Sequence, residues 1–88
     1  RKVASKEYLD VDIDQELFEV LRSLRTEIAR EEKVPPYIVF NDKTLIGMCQ
    51  VRPQNDEEML SISGVGDYKL EKYGERFIKA IEEYENSD

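Results

Sequence analysis

The most specific spacing for chemistry lies at residues 60–70, where a helix, a Gly64-Val65-Gly66 turn and a second helix are predicted. Free backbone N–H groups at the start of the second helix can receive a phosphate, and Lys69 adds a positive charge one turn later. The simpler alternative is structural, with Gly64 as a helix C-cap and Gly66 as a turn residue. Asp67 favours this alternative, because its carboxylate would repel a phosphate.

A second group of candidates is a basic stripe on the last predicted helix. Its members follow a spacing of i, i+3, i+7 and i+10, which predicts one helix face: Lys69, Lys72, Arg76 and Lys79. Arg22, Arg25 and Lys33 predict a further basic patch at the first helix. Such surfaces can follow a phosphate backbone. The alternative is a solvated face whose cations pair with neighbouring glutamates such as Glu71, Glu75, Glu82 and Glu83.

The third candidate is Tyr37, which follows two prolines. A tyrosine on so stiff a support can stack on an unpaired base, and such stacking is worth roughly 1–3 kcal/mol per base. The alternative is a ring buried beside Val39 and Phe40. The other tyrosines are weaker candidates, since Tyr73 and Tyr84 fall on the predicted core stripe of the last helix.

Composition argues against catalysis and against a strongly basic nucleic-acid binder. The 88 residues include no histidine, one cysteine (Cys49) and no phosphate-binding glycine loop, so we expect no catalytic residues, no metal, no disulfide and a reducing compartment. Asp10, Asp12 and Asp14 alternate but lack the glycine and the closing glutamate of a calcium loop. No apolar run approaches membrane-spanning length. The net charge is −7, so a phosphate-binding site here must be a local patch on an acidic body.

The elements that must position these residues are all helical. Leu17, Leu21, Leu24 and Ile28 predict a helix over 14–32, with Asp12 or Asp14 as its N-cap. Residues 35–40 predict a turn or a short 3₁₀ segment, because the chain offers no partner strand.

Asn41 is expected to cap a second helix over 42–51 that turns Leu45, Ile46, Met48 and Cys49 inward. Asn55 and Glu58 have the spacing of a capping box, which predicts a short helix to about residue 61. A last helix reaches about Tyr84, with Gly74 as a kink or a break. The predicted fold is all-α, with four or five helices. Residues 1–12 are interpreted as a linker from a preceding domain, 13–85 as the domain and 86–88 as a frayed tail.

The joint pattern resembles the HRDC (helicase and RNase D C-terminal) family. The resemblance covers about residues 14–84, and its motifs are the Leu17–Leu24 stretch, Val34-Pro35-Pro36-Tyr37 with Phe40-Asn41-Asp42, the Gly64-Val65-Gly66 turn, and Lys69-Leu70-Glu71-Lys72-Tyr73-Gly74 with Phe77. The Pro-Pro-Tyr and Phe-Asn-Asp runs are closer to the type found in RecQ helicases than to the type found in RNase D.

The resemblance implies a five-helix, monomeric domain at the end of a bacterial, ATP-dependent 3'–5' helicase that acts in DNA repair and recombination. Such a domain binds single-stranded or branched DNA and tunes substrate choice, while ATP and Mg²⁺ belong to the motor domains and a zinc site to another region. Tyr37 matches a DNA-contacting tyrosine of the family, and Arg22 and Arg25 match basic positions. A cytoplasmic, nucleoid-associated location is implied as well.

The sequence departs from DNA-binding relatives of this type at Glu16, Glu19, Ser23 and Thr26, where those relatives often carry lysine or another neutral-to-basic residue. Two rival functions therefore stay open. One is an acidic interaction module that docks on the helicase motor or on a protein partner. The other is the HRDC domain of an RNase D-type exonuclease, with an RNA substrate.

Overall fold

A computed structural model describes residues 12–87, so the predicted linker over 1–12 lies outside the described residues except for its last position. Within residues 12–87 the fold consists of six α-helical segments and one π turn. The segments follow the order α1 (Gln15–Glu32), α2 (Pro36–Val39), α3 (Asp42–Val51), α4 (Asp56–Leu60), α5 (Asp67–Lys69), the π turn (Leu70–Gly74) and α6 (Glu75–Asn86). The segments from α5 to α6 run on without a break as one last helix, which makes five helices in all. Within residues 12–87 there is no strand, as the all-α prediction requires.

The first helix, α1, begins and ends through local backbone chemistry. The Asp14 carboxylate accepts hydrogen bonds from the backbone N–H groups of Glu16 and Leu17, which confirms Asp14 rather than Asp12 as the N-cap. At the other end Lys33 takes a left-handed conformation with φ 60°, and its N–H returns to the carbonyl groups of the last turn. No described helix is both long and apolar enough to cross a membrane.

The segment after α1 corrects one prediction. Residues Pro36–Val39 form a single turn of α-helix instead of a 3₁₀ segment. Pro36 stands at its first position, where the missing N–H has no helical partner to lose. The backbone becomes extended again at Phe40, and Asn41 then caps α3 through its side-chain oxygen and the N–H of Thr44.

The capping prediction for α4 is half right. The Asn55 side chain accepts a hydrogen bond from the N–H of Glu58, as expected. The Glu58 carboxylate, however, accepts its bond from the N–H of Gln54, one residue before the predicted partner. Both bonds satisfy N–H groups that the helix itself leaves unpaired.

The last helix contains a π turn that ends at Gly74, where a kink or break was predicted. A Cβ at Gly74 would come within 2.7 Å of the end of the Leu70 side chain, so a larger residue there would require Leu70 to shift. The helix also runs on to Asn86, two residues beyond the predicted end at Tyr84. At this end Arg52 and Gln54 donate to the Glu85 carboxylate, and the Ser87 hydroxyl donates to the Tyr84 carbonyl. The frayed tail over 86–88 stays a prediction.

The core joins the two long helices through three phenylalanines. Phe18, Phe40 and Phe77 are almost completely buried, and the Phe40 ring meets the Phe77 ring edge-on at 5.0 Å and the Tyr73 ring at 5.8 Å. Of the residues predicted to turn inward from α3, three are buried and Ile46 is partly buried. Through these ring contacts Phe40 joins α2, which carries Tyr37, to the last helix.

Candidate nucleic-acid interface

Tyr37 is presented on the surface of the short helix α2. Its ring is 64% exposed, whereas Val39 and Phe40 are fully buried. The alternative of a ring packed beside those two residues is therefore wrong. Because Val39 and Phe40 anchor α2 in the core, Tyr37 stands on a fixed support with most of its surface open to solvent.

Two lysines of the last helix lie over aromatic rings, and one of these rings belongs to Phe40 at the end of this segment. The Lys69 ammonium sits 5.7 Å from the centre of the Phe40 ring, at the C-cap of α2. The Lys72 ammonium lies 5.5 Å from the centres of both the Tyr68 and Tyr73 rings. Lys33 follows α1 four residues before Tyr37 and is exposed. We call the set Lys33, Tyr37, Lys69 and Lys72 the Tyr37 surface.

The charges on the Tyr37 surface are only partly compensated. Lys72 forms an ion pair of 3.3 Å with Glu32, whose carboxylate also accepts a hydrogen bond of 2.8 Å from the Tyr73 hydroxyl. These contacts lower the pKa of Glu32, with the Tyr73 bond as the largest cause, and raise the pKa of Lys72, with the bond to Tyr68 first. Among the described residues the side chains of Lys33 and Lys69 take part in no ion pair.

Arg25 does not belong to this surface, which corrects the sequence prediction. Its side chain is only 10% exposed, and its guanidinium donates to the Phe40 carbonyl at 3.1 Å and to the Asp42 carboxylate at 2.8 Å. The side chain thus fastens α1 to the junction of α2 and α3. Its burial leaves it unable to reach a phosphate without breaking the fold, so its role is structural.

Arg22 and Arg76 remain on the surface, but each has an acidic partner. Arg22 pairs with Glu19 at 2.9 Å within α1, and Arg76 pairs with Glu31 at 3.1 Å between the last helix and α1. Both pairs are exposed, so a phosphate could exchange with the carboxylate at small free-energy cost. Their part in nucleic-acid binding stays a prediction.

The predicted basic stripe does not stay on one face. Lys72 and Arg76 reach glutamates of α1, whereas Lys79 lines a groove between α4 and the last helix. Arg76 and Lys79 both follow the π turn within α6, where side chains three residues apart point about 60° away from each other. Lys79 is therefore turned from the glutamates of α1 toward the groove, and the single-face prediction was wrong for it.

The groove that contains Lys79 is acidic. Leu70 and Ile78, both partly buried, form apolar parts of its lining. Its walls carry six carboxylates against that single ammonium: Asp56, Glu57, Asp67, Glu71, Glu75 and Glu82. We call it the acidic groove. Within the described part of the chain, none of these six carboxylates forms an ion pair. Three of them begin helices, where a negative charge is favourable. The other three have no such compensation.

The Gly64-Val65-Gly66 turn has a structural role at its first residue. Gly64 adopts φ 97° and lies against Thr44, whose hydroxyl donates to the Ser63 carbonyl at 3.0 Å. The C-cap of α4 is Ser61, so the alternative that made Gly64 the cap was wrong. Gly66 is the N-cap of α5 and forms no side-chain cap hydrogen bond. Phosphate binding at this turn stays a prediction.

The described residues include no group of three or more metal-ligating side chains. Cys49 is buried, and desolvation raises the pKa of its thiol to about 11, so it stays protonated and unreactive at neutral pH. Sequence reasoning missed Glu32, because its contact with the last helix spans 41 positions. It ranked Tyr68 only as a weaker candidate, although the position of Tyr68 four residues before Lys72 was a usable signal.

With this geometry in hand, comparison with known families gives the class. A family model of the HRDC domain matches residues 14–81, and the chain therefore belongs to the HRDC family. HRDC domains are auxiliary, non-catalytic parts of RecQ helicases, so this chain is not an enzyme by itself.

Several helicases carry a similar stretch. The chain is 49% identical over 85 residues to the ATP-dependent DNA helicase RecQ of Bacillus subtilis, covering 93% of this chain and 14% of that protein. For RecQ of Haemophilus influenzae the identity is 52% over 71 residues, covering 81% and 12%. The helicase UvrD2 of Mycobacterium tuberculosis is 40% identical over 70 residues, covering 80% and 10%.

A solved structure has the same fold. HRDC domain 3 of D. radiodurans RecQ aligns with a TM-score of 0.78 and 32% identity, covering 81% of this chain and 93% of that one. The chain spans 12–14% of the length of the two RecQ helicases described above. These matches confirm the predicted family and the all-α fold.

Proposed function

We propose that this chain is the auxiliary nucleic-acid-binding domain of a RecQ-type DNA helicase, and that it binds single-stranded or branched DNA through the Tyr37 surface. The observation that carries the proposal is Tyr37, 64% exposed on a rigid helical turn whose C-cap residue, Phe40, has its ring centre 5.7 Å from the Lys69 ammonium. Base stacking supplies sequence-tolerant affinity, and the lysines supply contacts to phosphate.

Affinity should be modest and strongly dependent on salt. Only a few cations meet the strand, two further arginines are already paired, and the whole chain carries a net charge of −7. A weak accessory site of this kind suits a domain that tunes which DNA structure a motor engages in repair and recombination. In this proposal the motor domains outside the chain bind ATP and Mg²⁺, and the protein acts as a monomer in the bacterial cytoplasm, at the nucleoid.

Fluorescence anisotropy with a labelled single-stranded oligonucleotide tests the proposal. Tyr37→Ala should lower the affinity roughly 5- to 100-fold, which corresponds to the 1–3 kcal/mol of one stacked base. Tyr37→Phe keeps the stacking face and should bind like the parent chain, whereas Tyr37→Leu keeps only apolar bulk and should not. Binding should also weaken steeply between low and moderate salt. Equal affinities for the Ala and Phe variants, or a flat response to salt, would contradict the proposal.

The acidic groove favours a second candidate function. Its six carboxylates and apolar lining are suited to a basic surface of the helicase motor or of a protein partner, with charge complementarity setting the orientation. A pull-down with the isolated motor fragment tests this role. Retention by the parent chain and loss in a Glu71→Lys, Glu75→Lys double variant is the expected result. Failure of the parent chain to bind, alongside clear DNA binding, would remove this candidate.

A further inference from the structure

We propose that Tyr68 is a second base-stacking residue, so that an unpaired strand runs from Tyr37 past Lys69 and Lys72 to Tyr68. This inference rests on the proposed function and names a contact and a path within it. It concerns a ring that the sequence marked only as a weak candidate.

Tyr68 is the most exposed of the large apolar side chains in the described residues, at 68% of its surface. The ring is nevertheless held in place. The Lys72 ammonium sits 5.5 Å from its centre and donates to its hydroxyl at 3.3 Å. An exposed tyrosine that is oriented without being buried loses little side-chain entropy when a base stacks on its open surface.

Lys72, which orients Tyr68, also contacts a buried ring and a residue of α1. Lys72 also lies over the buried Tyr73 ring and pairs with Glu32, which itself accepts the Tyr73 hydroxyl bond. One ammonium is thereby fixed by groups from α1 and the last helix. A surface lysine that serves only as a solvated charge requires no such set of partners, so the arrangement is better explained as positioning the Tyr68 ring.

Two contacts mark the proposed path between the tyrosines. The Lys69 ammonium lies 5.7 Å from the centre of the Phe40 ring, three residues after Tyr37 in the chain. Lys72, three residues after Lys69 on the last helix, donates to the Tyr68 hydroxyl. We infer from these contacts that the strand meets one aromatic ring at each end and the two cations between them, since single-strand sites combine stacking rings with positive charge.

The acidic groove sets the end of the path. Asp67 and Glu71 both line it, and they stand one residue before and three residues after Tyr68. Phosphates beyond Tyr68 would meet these carboxylates, so the strand should leave the surface there. The site is consequently short, on the order of 4–6 nucleotides, at the low end for small single-strand binders.

Oligonucleotide binding by three variants tests this inference. With a labelled 8-nucleotide oligothymidylate, Tyr68→Ala should bind roughly 5- to 20-fold more weakly than the parent chain, while Tyr68→Phe should restore most of the affinity because it keeps the stacking face. Leu60→Ala, at an exposed apolar side chain on α4, is the matched control and should bind like the parent. Thermal unfolding should be unchanged for all three variants, because none of these side chains is buried.

Photo-crosslinking locates the contacts independently. Oligothymidylates with 5-iodouracil at successive single positions should crosslink to the Tyr37 peptide from one end and to the Tyr68 peptide from the other. If the parent chain binds and Tyr37→Ala weakens it, while Tyr68→Ala binds normally and crosslinks map to Tyr37 alone, the second contact is disproved and the proposed function stands. If the parent chain does not bind at all, both fall.

Discussion

The Tyr37 surface and the acidic groove differ in their charge and in their exposed aromatic area. The Tyr37 surface presents exposed aromatic area and lysines, two of which have no ion pair among residues 12–87. The acidic groove presents six carboxylates around Leu70 and Ile78, with Lys79 as the only cation in its lining. Both regions draw on the same short stretch of chain, since Lys69 faces one and Asp67 and Glu71 line the other.

The net charge of −7 therefore does not describe each surface separately. Six carboxylates line the groove, whereas Glu32 and Glu31 pair with Lys72 and Arg76, and Glu32 also accepts the Tyr73 hydroxyl bond. Interactions between exposed charges fade over a Debye length of about 8 Å at physiological salt. A strand on the Tyr37 surface is therefore governed by its nearest charges rather than by the total.

The largest expected effect comes from breaking the turn that positions both regions. A Cβ at Gly64 would collide with the Thr44 hydroxyl, and φ 97° is strained for any other residue, so Gly64→Ala should lower the free energy of unfolding by about 2–4 kcal/mol. Gly66→Ala meets no neighbour within 4 Å and should change it by less than about 1 kcal/mol. Urea unfolding of both variants is the measurement, and similar losses in the two would show that Gly64 has no special role.

The next effect separates Arg25 from the surface cations. Arg25→Ala removes the donors to the Phe40 carbonyl and the Asp42 carboxylate and opens a gap in the core, which should lower the free energy of unfolding by about 2–4 kcal/mol. Arg22→Ala on the same helix is the matched control and should change it by less than about 0.5 kcal/mol.

DNA binding by the Arg25→Ala and Arg22→Ala variants also separates the roles of these two arginines. Measured where both chains are fully folded, Arg25→Ala should bind single-stranded DNA like the parent, because its side chain never faces solvent. If folded Arg25→Ala lost more DNA affinity than Arg22→Ala, Arg25 would be a DNA-contacting residue after all.

A charge exchange in the groove tests whether position or total charge matters. Glu71→Lys should raise the affinity for single-stranded DNA roughly two- to fivefold at low salt, because it removes a carboxylate beside the proposed end of the path. Glu83→Lys changes the net charge equally but lies outside the groove lining, so it should have a smaller effect. Anisotropy titrations at two salt concentrations compare them, and equal gains would mean that only total charge counts.

The smallest effect is a dependence of stability on pH. The pKa of Asp14 is lowered chiefly by the Tyr84 hydroxyl bond, and that of Glu32 chiefly by the Tyr73 hydroxyl bond. The unfolded chain therefore takes up these protons first as the pH falls, so stability is full above the ordinary carboxyl range and decreases below about pH 4. Urea unfolding from pH 7 to pH 3 measures the decrease. Tyr84→Phe should flatten it, and an unchanged pH dependence in that variant would rule out the Tyr84–Asp14 hydrogen bond as a cause.

Much of the fold could be predicted because its signals are local. Asp14, Asn41 and Asn55 cap helices through bonds that span two or three positions, and each begins a helix within one residue of the predicted start. The Pro-Pro sequence before Tyr37 limited that segment to a rigid turn, although whether the turn is 3₁₀ or α depended on how Val39 and Phe40 pack. The exposure of Tyr37 follows from the same packing.

The helices, their caps and the types of side chain available to a nucleic acid could be predicted from local sequence, because these depend on neighbours a few positions away. Which cations are already paired depends instead on tertiary packing. Arg25 is taken into the core by contacts 15 and 17 positions away, and Lys72 is fixed by a glutamate at the far end of α1. Lys79 lines the acidic groove, away from the glutamates of α1 that Lys72 and Arg76 reach. A side chain's charge is a local property, but its partner and its exposure are set by which distant segments pack beside it.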